Sequence, residues 1–63
     1  MSAKVELCGL LVSKEVQTEA YRTWPTRPAT GYDDRTWLAA CRNHVLVVAR
    51  EMGEEPQVAA MAD

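Results

Sequence analysis

The chain has 63 residues, nine acidic against seven basic side chains, and a formal net charge of −2. That length fits one small domain and excludes a large enclosed substrate pocket. The acidic balance argues against broad electrostatic binding to nucleic acid, which depends on neutralising phosphates.

A domain this small buries only about 60% of the surface its unfolded chain exposes, and such chains usually draw on a disulfide, a metal or a second subunit. Cys8 and Cys41 are the two cysteines and His44 is the one histidine. Their spacing matches no metal-ligand pattern, so neither metal nor cofactor is expected. A Cys8–Cys41 bridge is geometrically compatible with antiparallel elements; two buried apolar thiols in a reducing compartment are the simpler expectation.

The N-terminal segment begins with Lys4 and Val5-Glu6-Leu7. Glu6 interrupts any apolar region of a signal peptide, and no apolar run approaches a membrane span. The expectation is a cytoplasmic protein with no membrane partner. The helix formers of SKEVQTEAYRTW, ending at Pro25, extend the first segment into one helix over about residues 3–23. Its wheel would carry two apolar stripes. Val5, Cys8, Val12, Val16 and Ala20 form one; Leu7, Leu10, Leu11 and Tyr21 form the other, on nearly the opposite side. The alternative makes Val5 to Val12 a short strand, with Ser13 capping a helix from Lys14.

Residues 25–32 form a loop, since Pro25, Pro28 and Gly31 punctuate it. All four aromatic residues of the chain surround this loop. Tyr21 and Trp24 leave the first helix while Tyr32 and Trp37 enter the next, an arrangement suited to an aromatic clamp on a stiff connection.

DDRTWLAACRNHVLVVAREMG predicts a helix over about residues 33–52, with Asp33 or Asp34 as N-cap and Gly53 just past its end. Trp37, Leu38, Cys41, Val45, Val48, Ala49 and Met52 share one apolar face. Leu46 lies off that face among Arg35, Arg42 and Arg50. Beyond Gly53, Pro56 suggests a short helix or tail over about residues 55–62, with Val58 and Met61 on one side.

The expected architecture is thus an all-α helical hairpin. Its second stripe requires a cover, which pairing two hairpins into a dimeric four-helix bundle supplies. Leu7, Leu10, Leu11 and Tyr21 are the expected homodimer interface. Trp24, Arg35, Arg42, Leu46 and Arg50 are of the types that dominate interface energies and make the expected partner surface. No catalytic constellation appears, because Cys41 falls on the apolar face where a thiol is inert. The functional expectation is a non-enzymatic regulator, inhibitor or adaptor that docks on a larger protein.

A DNA-binding regulator is the alternative. Arg35, Arg42 and Arg50 lie along the second helix, as in a helix-turn-helix, and LLVSKEVQTEAYRTW faintly resembles the first helix of small excisionase-like regulators. The long connection and the Asp33-Asp34 pair, which would repel phosphates, weigh against it.

Overall fold

The computed structural model describes residues 3–59. It is an α+β fold: β1 (Val5–Leu7), β2 (Leu10–Val12), α1 (Lys14–Arg22), α2 (Asp34–Glu51) and β3 (Gln57–Val58). The strands form one antiparallel sheet in the order β1-β2-β3, with the helices packed on one face.

The all-α hairpin is therefore corrected at its first element. Residues 3–23 do not form one helix; they divide into a β-hairpin and a nine-residue helix, so the alternative of a strand before a Ser13-capped helix fits, although its single strand over Val5 to Val12 is folded back at Cys8-Gly9. The cause is local. Cys8 and Gly9 both have positive φ, 53° and 79°. Two central residues of that kind make the tight turn whose twist matches antiparallel strands. Ser13 is extended, at φ −70° and ψ 162°, and its hydroxyl accepts a hydrogen bond from Val16 N at 3.3 Å. A continuous helix would have left Gly9 in its interior, at a cost of about 1 kcal/mol.

The hairpin also removes the surplus apolar surface. Val5 pairs with Val12 and Leu7 with Leu10. Residues directly opposite one another project to the same face of a sheet, so Val5, Leu7, Leu10 and Val12, drawn from both notional stripes, share one side. Leu7, Leu10, Val12, Val16 and Ala20 are buried together with Val45, Val48 and Ala49 of α2. Glu6 and Leu11, paired across β1 and β2, take the outer face. The four-helix bundle thus loses its premise, since there is no continuous first helix and Leu7 and Leu10 find their cover within a single copy, with Leu11 left on the outer sheet face.

α2 follows the sequence expectation closely. Asp33 caps it, with Oδ1 accepting from Thr36 N at 2.8 Å. That hydrogen bond holds the Asp33 carboxyl below the usual aspartate range. At the other end Gly53 takes φ 81°. Gly53 N donates to Arg50 O at 3.0 Å and Glu54 N to Ala49 O at 2.8 Å, the paired bonds of a Schellman stop.

The C-terminal expectation is corrected as well. Residues 57–58 are a strand rather than part of a helix, with Val58 opposite Leu10 and Gln57 opposite Leu11. Ala59 N extends the ladder to Gly9 O at 2.9 Å. Met61 lies outside the described residues. Glu54 locks this return segment to the first half of the chain: its Oε2 accepts from Ser13 N at 2.8 Å and from Lys4 Nζ at 3.3 Å.

Candidate functional site

A concavity runs between α1 and α2. α2 presents Trp37, Ala40, His44, Val47 and Glu51 along this flank, at alternating spacings of three and four. Such spacing makes a continuous seam on one side of a helix. A cleft of about 500 Å³ opens over Val47, Val48 and Met52, bounded by Glu19, Thr23 and Glu51. A second hollow, of about 310 Å³, continues past the shared His44 and Val47 to Pro25, Pro28, Tyr32 and Trp37. Val47 is 44% and Met52 46% exposed, so the floor is apolar yet open to solvent.

His44 ties the two helices together at the middle of this groove. Its Nε2 lies 3.3 Å from Ala20 O and 3.2 Å from Thr23 Oγ1. The Thr23 hydroxyl donates its own hydrogen to Glu19 O at 2.9 Å. Both groups near the ring therefore act as acceptors, and Nε2 carries the hydrogen. The Trp24 ring stands edge-on to the imidazole, 5.6 Å away at 84°.

The expected aromatic clamp resolves into two pairs. Tyr21 and Trp24 lie 5.5 Å apart at the end of α1, and Tyr32 and Trp37 6.3 Å apart at the start of α2. Arg27 fixes the loop between them, donating to Tyr32 O at 2.9 Å and meeting Asp34 at 3.0 Å. The groove thus has a stiff aromatic rim at one end. At the other, Glu15 and Glu19 border Met52.

The residues expected to form a partner surface do not gather in one place. Arg35, Arg42, Leu46 and Arg50 share a flank of α2 by helical geometry. Trp24 instead packs beside His44, on the groove flank. Arg50 is held by Glu55 through two contacts of 3.1 Å. Leu46 is half-buried against the core, and Arg35 and Arg42 are exposed. Of the expected dimer residues, Leu7 and Leu10 are buried within the chain, Leu11 is half-buried on the outer sheet face, and Tyr21 is exposed.

The cysteines are both free. Burial pushes the Cys8 thiol above its usual range, the nearby Cys41 adds to this, and Arg42 partly offsets it. Cys41 is buried in α2, while the His44 Nε2 is engaged with α1. Among the described residues, no cluster of His, Cys, Asp or Glu side chains could hold a metal ion, and no helix is long and apolar enough to cross a membrane.

Sequence reasoning grouped Tyr21, Trp24, Tyr32 and Trp37 into one clamp, where the rings form two separate pairs, and it missed the His44 link and the groove along Val47. The signal was present in the seam spacing, hidden by the stronger apolar face next to it. No protein-family model, curated protein or solved structure matches the chain.

Proposed function

We propose that the chain is a small protein-binding module whose α1–α2 groove receives a basic amphipathic helix of a larger protein. It would act through that contact as a regulator, inhibitor or adaptor. The carrying observation is the open apolar floor of Val47 and Met52 on a seam of helical spacing. Grooves of this kind take the apolar face of a helix as anchors three and four residues apart. Glu15, Glu19 and Glu51 stand around that floor, with Arg22 paired to Glu19 and Lys14 bordering the same hollow as Glu15. The sign of the carboxylates favours a basic ligand and would speed its encounter. The aromatic rim at Tyr32 and Trp37 supplies residue types enriched where interfaces concentrate their energy.

DNA binding is the competing reading, and the charge arrangement supports it less. Lys4, Arg22, Arg27 and Arg50 all meet carboxylates of the same chain. The α1–α2 connection spans residues 23–33, longer than the roughly three or four residues of a helix-turn-helix.

The test is affinity capture from the source cell's lysate with wild type, Val47→Glu and Arg42→Glu chains side by side. A protein retained by wild type and by Arg42→Glu, but lost with Val47→Glu, supports the groove. Direct titration with that protein's basic helical segment should then weaken in Glu51→Lys. Equal retention by Val47→Glu, or salt-sensitive retention of duplex DNA lost with Arg42→Glu, would refute it.

A further inference from the structure

α2 outruns the elements that pack on it. It has 18 residues against nine in α1 and three in each of β1 and β2. At 1.5 Å per residue α2 is about 27 Å long, roughly twice α1. Its first turns therefore project past the core. Leu38 belongs by spacing to the buried stripe of Cys41, Val45 and Val48, yet it is 63% exposed. It borders a cleft of about 430 Å³ together with Cys8, Gly9, Ala39 and Arg42.

The charges around Leu38 have a particular order. Asp34 precedes it by four residues and Arg42 follows it by four. The three lie on one ridge of the helix, acid then leucine then base. Asp34 meets Arg27, but its side chain is still 92% exposed. Among the described residues, Arg35 and Arg42 are the α2 cations that meet no carboxylate. Turned end for end about Leu38, the acid of this ridge falls on the base.

We propose that this ridge is a self-association site, at which α2 of a second copy crosses α2 in antiparallel orientation. Leu38 meets its counterpart on the two-fold axis, beside the apolar cleft under the Cys8-Gly9 turn. Arg42 of each copy meets Asp34 of the other, giving two equivalent ion pairs. Packing along ridges of four-residue spacing crosses the helices at about −50°, which keeps positions one turn either side of the crossing in contact. An isologous contact requires a patch complementary to itself, and the symmetric placement of acid and base around one leucine meets that requirement. A different protein would have no reason to match it. The site uses none of Leu7, Leu10, Leu11 and Tyr21, is no four-helix bundle, and lies on another flank of α2 than the α1–α2 groove. It therefore does not rest on the partner reading above.

The test is the oligomeric mass of the full chain by light scattering and sedimentation, over a concentration series reaching the millimolar range. Wild type should reach the mass of two chains. Asp34→Arg, Arg42→Asp and Leu38→Glu should each weaken association by at least about tenfold, since each sets like charges, or a buried charge, at the contact. An equimolar mixture of Asp34→Arg with Arg42→Asp should recover the dimer as a heterodimer, because both cross-pairs then join opposite charges. Asp34 sits in the first turn of α2, so circular dichroism accompanies each variant; if Asp34→Arg does not fold, Arg42→Asp and Leu38→Glu decide. A single-chain mass for wild type throughout, variants that associate as wild type does, or a folded mixture no better than its components would overturn the proposal.

Discussion

Replacing Glu54 by Ala tests the connection that closes the fold. The carboxylate accepts the Ser13 N–H at 2.8 Å, across 41 positions of sequence, at a part-buried junction between β2 and α1. Its side chain is only 20% exposed, whereas Lys4, the second partner, is 51% exposed. The backbone contact therefore dominates, because exposed ion pairs contribute little. A hydrogen bond to a charged group contributes about 1.5–3 kcal/mol, and its loss leaves the Ser13 N–H without its partner. A chain of this length holds on the order of 3–9 kcal/mol in total, so Glu54→Ala should remove a large share of it. Urea unfolding followed by circular dichroism should show the loss directly, and the Tm should fall on the order of 10 °C. Glu54→Gln, which keeps an acceptor, should cost about half as much. The pH dependence carries the same signature. Burial pushes the Glu54 carboxyl up, but the Ser13 hydrogen bonds and Lys4 outweigh it and leave the group below the usual glutamate range. Its contribution is then complete above about pH 5 and fades as the pH falls through that lowered value. The gap between wild type and Glu54→Ala should narrow accordingly in acid. A difference under about 0.5 kcal/mol at neutral pH, or one unchanged down to pH of about 3, would refute the assignment.

Three further outcomes follow from single positions. Ser13→Ala removes the acceptor for Val16 N and should destabilise by about 1 kcal/mol in chemical unfolding. Gly9→Ala meets no neighbouring atom but must hold φ near 79°; the backbone alone should cost about 1–2 kcal/mol, and a neutral result would contradict the turn geometry. Val45 is fully buried between the helices and the sheet, and Val45→Ala should lose about 2 kcal/mol with the hairpin pairings retained in amide exchange.

α2 was legible because three independent local signals agreed: the Asp33 cap, the Gly53 stop and apolar spacing sustained from Trp37 to Met52, about four turns. The first segment was not, and the reason is its shortness. A strand of three residues offers one alternation, and Leu7 and Leu10, three apart, fit either a helical stripe or opposite sides of a two-residue turn. Gly9 and Ser13 carried the discriminating information, since one tolerates the left-handed turn and the other caps the helix that follows. β3 gave almost no signal, having two residues, both exposed, whose pairing depends on β2 rather than on their own pattern. The surroundings of the arginines were legible only in part, for a related reason. Arg50 is taken by Glu55 beyond the helix stop, a pairing that helical spacing alone does not reveal. At the candidate site, the loop aromatics were visible as a group, while the groove required knowing that His44 reaches the carbonyl of Ala20.

The central strand β2 needs a neighbour from each side of the helices: β1 just before it, and β3 some forty-five residues later. A nascent chain can wind α1 and α2 as soon as they leave the ribosome, but the sheet stays one strand short until the stretch after Gly53 emerges. Completion of the fold thereby waits on a stretch far along the chain from β2, and non-local pairing of this kind sets the pace of folding. In the interval Leu10 lies beside an open edge, which makes the unfinished chain, rather than the finished one, the form most exposed to aggregation.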